Sequence, residues 1–450
     1  MLPTVSSPPR RTAAPRHARP VRPAAHLPVP GEPTSASRKP AHARVGANHR
    51  VVRGVTMALT AVLSFGVGGG VATAIRLTSN VTSVDADAAL AVVGRPEVVA
   101  PVDPNAGTPL NIVLMGSDDR SGENADLGGQ AEGMRSDTTM VMHISADRSR
   151  VEVVSIPRDS IVDVPRCPTS DGELAPAMRD TRFNAAFAQG VIHGKNVESG
   201  ALCTMATLES LTDVRMAGFV VVDFAGFRDM VDTLGGVDLC IPAEVYSAKA
   251  DHLHLDAGWQ TLNGTLALQY ARARTGEGLG DGSDTDRIGR QQEMMASIAR
   301  SVLGKNLLTD SPALLQFLNA VTRSLTMSSN FSSLTGLPGL AYSLRDVRPD
   351  TITFMTVPWE PNPADPNTVL WTRDAEVVWD NMKHDRPLTT PKDAPSSEGS
   401  ESATAASTPG AAGALPTAPV TPADPPVETK EAGKEAFTSA DVTSVCGERS

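Results

Sequence analysis

The sequence predicts a mixed α/β domain, and three observations carry that prediction. Between Leu110 and Met382, short apolar runs of strand character interleave with segments of helical periodicity. The flanking regions differ in composition and lack such patterning. One long uncharged apolar stretch precedes the patterned region, so the two environments are separated along the chain.

Residues 1–53 are rich in Pro, Ala, Arg and His, with ten Lys/Arg and one acid, Glu32. Too little apolar surface is available there to offset the entropy of folding, which predicts a disordered basic tail. The overall net charge of −11 then leaves the rest of the chain near −20. That balance argues against a nucleic-acid partner gripped by a broad basic surface.

Residues 54–76 follow as GVTMALTAVLSFGVGGGVATAIR, with Arg53 and Arg76 bracketing the apolar run. A helix of this length rises about 33 Å, enough for a hydrocarbon core of about 30 Å. The expectation is one transmembrane anchor, its basic N-terminal side in the cytoplasm and the remaining chain outside. Residues 77–108 read as a stalk, 109–383 as the folded domain, and 384–450 as a low-complexity Pro/Ala/Ser/Thr tail that ends near Cys446.

Within the domain, strands are expected at Asn111–Met115, Thr139–Ile144, Val151–Ile156, Phe219–Asp223 and Thr351–Val357. Helical periodicity is clearest in Thr204–Leu211, Phe224–Leu234, Arg290–Leu303 and Leu314–Leu325. Strand order is not legible. All four cysteines follow the apolar run, an even number on the side where disulfides form. Cys167 and Cys203 flank the polar stretch 168–199 and are expected to pair, leaving Cys240 for Cys446. No CxxC spacing suggests structural zinc.

Arginines and aspartates cluster at element ends: GSDDR at Gly116–Arg120, RSDTT at Arg135–Thr139, IPRDS at Ile156–Ser160, YARAR at Tyr270–Arg274 and DTDRIGRQQ at Asp284–Gln292. Arginine's planar fork suits phosphate oxygens, and aspartate suits a hard divalent cation that bridges phosphates. The set reads as a diphosphate site with Mg²⁺ or as a structural ion-pair network. Arg287, Arg290 and Gln291 share one helix face by their spacing, and Arg272 and Arg274 would share a face of an extended segment. Asp223 reads as a helix N-cap, His143 as packing, and Asp159 equally as an arginine's partner or as a ligand.

With these motifs in order, NIVLMGSDDR, RSDTTMV, VEVVSIPRDS, RFNAAF, VVDFAGFRDMVDTLGGV, LDAGWQTLNGTLALQYARAR and DTDRIGRQQ, the chain resembles the LytR–CpsA–Psr family of cell-wall glycopolymer transferases over about Leu110–Gln292. The resemblance implies a single mixed-sheet α/β domain with helices on both sides of the sheet, preceded by one transmembrane helix. It implies transfer of a glycan from a polyprenyl-diphosphate donor to a peptidoglycan acceptor outside the cytoplasmic membrane, with Mg²⁺, or Mn²⁺ in its place. Teichoic-acid-like polymers, arabinogalactan and capsule stay open as the glycan. Matched motif by motif, the implied catalytic residues are Asp118, Arg135, Asp137, Arg158, Arg272, Arg274, Arg287 and Gln291. Asp118, Asp137 and Asp284 are the implied metal ligands, and Asp119 and Arg120 support them. Asp286 and Thr139 depart from the family pattern. The rival functions are hydrolysis of the same diphosphate and a non-enzymatic wall-binding or regulatory ectodomain.

Overall fold

The computed structural model describes residues 82–100, 107–118, 134–280, 282–304, 325–332, 343–344, 346–388, 430–441 and 446. All lie in the compact unit Phe65–Ser450. The basic leader 1–53 and the expected anchor 54–76 fall outside them. Among the described residues no helix is long and apolar enough to cross a membrane.

Eight strands build one mixed sheet: β1 (Thr82–Val84), β2 (Leu110–Ser117), β3 (Ser136–Ile144), β4 (Val151–Ile156), β5 (Gly218–Val222), β6 (Leu325–Ser328), β7 (Ile352–Thr356) and β8 (Phe437–Thr438). Their spatial order is β1-β6-β5-β2-β3-β4-β7-β8. The meander β2-β3-β4 is antiparallel, whereas β2–β5 and β4–β7 are parallel pairs. The main helices are α1 (Ala86–Leu90), α2 (Ala185–Gly194), α3 (Val197–Thr212), α4 (Phe224–Thr233), α5 (Gly264–Arg272), α6 (Asp284–Gly304) and α7 (Arg373–Lys383).

Strand alternation sends side chains to two cores, so helices cover both faces. Val113, Met115, Val141, Val154 and Phe219 pack with α2, α3 and α7. Ile112, Met140, Val153 and Phe354 point the other way, toward α6. A third core gathers residues of α4, α5 and α6 around the hairpin of Val237–Ile241 with Gly258–Leu262. Helix α3 is buried on nearly every side, which hides its period and explains why only Thr204–Leu211 was legible. Asn196 caps its start by accepting from Ser199 N, and Asp223 caps α4 by accepting from Gly226 N at 2.7 Å.

Three sequence expectations need correction. The stretch 77–108 is more than a stalk, because Thr82–Val84 pairs with β6 and Leu90 is fully buried. The 384–450 segment is not wholly a tail. Phe437 stacks on Phe354 at 5.5 Å in β8, Arg300 Nη1 donates to Ser439 O, and Cys446 is bonded to Cys240. A Cβ on Gly289 would meet Ala432 O at 2.4 Å, so α6 and the returning chain approach backbone to backbone. Finally, Leu325 opens a strand rather than closing a helix, and most of the expected helix Leu314–Leu325 lies outside the described residues. The Cys167–Cys203 bond is present as expected, tying α3 to the segment ahead of it.

His143 is buried between Asn111 Oδ1 at 2.7 Å and Asp385 Oδ1 at 3.0 Å, a structural role as expected. Ala146 N and Arg150 also donate to the Asp385 carboxylate. Burial disfavours the Asp385 charge, but these donors outweigh it and hold the carboxyl below its ordinary value of 3.8. A lowered folded-state value contributes stability above the unfolded value and loses it as pH falls through the folded one. Asp385→Asn should therefore be less stable than wild type at pH 7, with the gap closing as the medium is acidified. Asn suits the left-handed backbone at this position, where φ is 53°. Urea unfolding at a series of pH values measures this, and a gap constant down to pH ~3 counts against it. A second expectation follows from the returning segment. Phe437→Ala should cost about 3 kcal/mol or more, as for a buried core phenylalanine, whereas a freely trailing tail would show no cost in denaturant unfolding.

Candidate active site

The site forms where β2 and β4 end, where β3 begins, and where α5 and α6 approach them. Asp137, near the start of β3, is its centre. Its Oδ1 accepts from Arg158 Nη1 at 2.8 Å, its Oδ2 from Arg274 Nη2 at 3.1 Å, and its backbone oxygen from Arg287 Nη2 at 3.1 Å. Three guanidinium groups from distant segments thus meet on one residue. Burial works against the Asp137 charge, but the fields of Arg287, Arg274 and Arg158 prevail and hold its carboxyl below the usual range.

Asp284, the first residue of α6, ties the second layer. Its Oδ1 pairs with Arg287 one turn on and lies 3.3 Å from Arg158 Nε, while its Oδ2 accepts from Arg158 N at 3.2 Å. Burial pushes its carboxyl up, and Arg287 and Arg158 offset only part of that. Asp159 pairs with Arg158 and Arg182, so it acts as an arginine's partner. Asn184 holds the Arg158 loop through its backbone N–H to Arg158 O at 3.2 Å. Asp118 Oδ1 accepts from Arg135 N at 2.6 Å, and Asp118 N donates back to Arg135 O. This reciprocal pair closes the neck between β2 and β3. Asp119 and Arg120 lie outside the described residues.

Two hollows meet here. A polar cleft of about 890 Å³ is lined by Asp118, Arg135, Asp137, Arg158, Arg272 and Arg274. An apolar cavity of about 230 Å³ runs between the sheet and α4, α5 and α6, lined by Leu114, Met140, Phe227 and Met294 among others. Arg287 and Gln291 line the cavity; Asp137, Leu268 and Arg272 line both hollows. All eight expected catalytic residues therefore line one or other of these two adjoining hollows. Among the described residues, no three His, Cys, Asp or Glu side chains gather into a metal-holding group, so Asp118, Asp137 and Asp284 do not form a cage by themselves.

Several placements differ from the sequence reading. Arg272 ends helix α5 rather than sitting on an extended segment, because Asn263 caps that helix and Ala267, Leu268 and Tyr270 bury its inner face. Its guanidinium lies over the Phe224 ring at 3.9 Å. Arg290 does not join the cationic pocket. It donates to Leu279 O at 2.8 Å and also to Ala273 O, holding the chain that leads out of α5. Gln291 donates to Ala271 O at 3.2 Å, stitching α5 to α6. Sequence reasoning missed Lys249 and Gln269 in the cleft and the cavity's Phe224, Phe227 and Met230. The spacing of three along α4 was the available signal for the last group.

The two kinds of arginine should separate by stability. Arg290→Ala leaves two buried carbonyls without their charged donor and should cost about 3 kcal/mol. Arg274→Ala removes a group 40% exposed in an ion pair and should cost less than about 1 kcal/mol. Denaturant unfolding compares them, and equal losses would contradict this division.

The LytR_cpsA_psr family model matches residues 74–384, more than half of the chain. The chain is 30% identical over 264 residues to cell wall biosynthesis protein LcpA of Corynebacterium glutamicum, covering 55% of this chain and 49% of that protein. It is 28% identical over 204 residues to the polyisoprenyl-teichoic acid–peptidoglycan teichoic acid transferase TagV of Bacillus subtilis, covering 44% and 45% respectively. The chain thus spans about half the length of the curated relatives it matches. A solved LytR-Csp2A-Psr enzyme from Actinomyces oris aligns with 64% of this chain and 96% of its own, at 22% identity and a TM-score of 0.45.

Proposed function

The chain belongs to the LytR_cpsA_psr family, and on that premise we propose that it transfers a glycopolymer from a polyprenyl-diphosphate carrier to peptidoglycan. The observation that carries the proposal is the join between the apolar cavity and the arginine-lined cleft at Asp137, Leu268 and Arg272. A polyprenyl diphosphate has the matching form, an apolar chain ending in a doubly phosphorylated head. Burying the chain contributes about 0.8 kcal/mol per methylene. The diphosphate then lies among Arg158, Arg272 and Arg274, whose forks stabilise charge on the phosphoryl oxygens and on the departing polyprenyl phosphate. TagV's name joins a polyisoprenyl-linked donor and peptidoglycan in the same way.

The residues suit a hard divalent cation. Asp137 stays ionised and is 35% exposed at the cleft, with Asp118 lining the same space. Mg²⁺ commonly takes one or two carboxylates together with substrate phosphate oxygens, so a protein-only cage is not required. When bound, such an ion would neutralise charge on the diphosphate. In the proposed transfer an acceptor hydroxyl attacks the glycan-linked phosphorus and its proton passes to a cleft carboxylate. The bond to the bridging oxygen breaks, and a phosphodiester links glycan and peptidoglycan. Asp284 and Arg287 orient Arg158 from behind.

Residues 54–76 would anchor the chain in the cytoplasmic membrane, N-terminus inside and catalytic domain outside. The two disulfides support an oxidising compartment for the domain.

The test is transfer from a polyprenyl-diphosphate glycan to peptidoglycan fragments at graded Mg²⁺, with folding followed by circular dichroism. Asp137→Ala should stay folded and lose Mg²⁺-dependent transfer. Arg158→Ala and Arg272→Ala should each lose about 10²-fold in rate. Lysine at either position should restore little, since a point charge does not reproduce the two-pronged grip. Near-normal rates in folded variants would refute the diphosphate clamp.

A further inference from the structure

A second polar cleft, of about 1040 Å³, shares a single lining residue with the first, Arg158. Its walls come from the loop holding Arg158 and Asp159, the start of α6, the hairpin of Trp359–Pro361 with Val369–Trp371, and the returning C-terminal segment. That hairpin is bolted to the Arg158 loop: Val369 N donates to Asp159 O at 3.1 Å, and Trp371 Nε1 donates to Ser160 Oγ at 3.0 Å. The cleft wall and the arginine of the diphosphate site are therefore one mechanical unit.

The lining has a definite chemical character. Trp359 offers an aromatic wall, Asn367 an amide, Arg182 and Lys434 cations, and Asp159 and Asp286 carboxylates. An aromatic face beside mixed polar groups suits a sugar ring with its hydroxyl and amide substituents. Arg182, paired with Asp159 and Asp365, and Lys434, paired with Glu431, can share those charges with acidic appendages on the ring. Position narrows the assignment further. In-line displacement brings the nucleophile in opposite the leaving group. The departing polyprenyl phosphate belongs at the apolar cavity, which Arg158 does not line. A hydroxyl arriving past Arg158 therefore enters from a different side.

Resting on the transfer reading above, we propose that this cleft seats the acceptor, an amino-sugar glycan strand with acidic side groups, on Trp359 with Arg182 and Lys434 at its edges. Lys434 comes from beyond the family-matched residues, which end at 384. The C-terminal return thus supplies part of the acceptor wall.

The experiment uses the full chain, a soluble uncrosslinked peptidoglycan glycan fragment and a polyprenyl-diphosphate disaccharide. Fragment binding is measured first without donor, then transfer and donor hydrolysis by water are followed separately. Trp359→Ala and Lys434→Ala should weaken fragment binding and raise the acceptor KM, about tenfold for the aromatic anchor, with donor hydrolysis unchanged. Trp359→Phe should recover most of the loss. Wild-type protein that does not bind the fragment, or variants that bind it normally, would overturn the cleft assignment. So would a parallel fall in hydrolysis and transfer, which marks a structural role. Trp359-dependent binding by a wild type that never transfers would uphold the cleft and remove the functional reading.

Discussion

The meeting of Arg158, Arg274 and Arg287 on Asp137 is the contact around which this domain is arranged. Guanidinium groups brought close together repel one another unless a negative charge lies between them. Here that charge is one carboxylate near the start of a central strand, backed by Asp284 at the start of α6. The cluster carries more positive than negative charge at the cleft. In the proposed function that excess is what a phosphorylated ligand would offset.

This arrangement demands rigid supports, because each arginine comes from a different element. Arg158 follows β4 and is fixed by Asp159, Asp284 and the backbone of Asn184. Arg272 ends α5 and Arg274 follows it, and the exit of that helix is held by Arg290 and Gln291. Arg287 belongs to α6, which the returning chain contacts at Gly289 and Gln292. Gln292 accepts from Gly433 N at 3.0 Å and donates to Ser155 Oγ at 2.9 Å, joining that segment, α6 and β4 in one network. Residues that sequence order places last thus help fix the helix carrying the site. The Cys240–Cys446 bond fastens the same stretch to the third core.

Much of this was legible from the chain itself. Strands β2, β3 and β4 declared themselves as short apolar runs, although their order in the sheet did not. The N-cap at Asp223 followed from an acid placed between a strand and an apolar helix. What escaped were elements whose identity depends on partners far away. Thr82–Val84 is a strand because β6 lies beside it, and Phe437–Thr438 because β7 does. Neither is long enough to show a period. Arg290 illustrates the same limit for side chains: its spacing matched Arg287, yet a neighbouring loop offered it two carbonyls and drew it out of the cleft.

The sequence by itself determined the chemistry and the broad class. Strand and helix periods are local, and so is the charge type of each motif, so an α/β domain with Arg–Asp clusters at element ends could be read directly. Only the tertiary structure decided which clusters converge, that Asp137 rather than Asp118 is their focus, and that Asp284 supports from behind. It also decided that an apolar cavity adjoins the arginine-lined cleft. Those outcomes depend on strand order and helix docking, which are set by contacts between residues far apart in the chain. A linear pattern records which groups are available; the packing of α5 and α6 against β3 sets the distances at which they act.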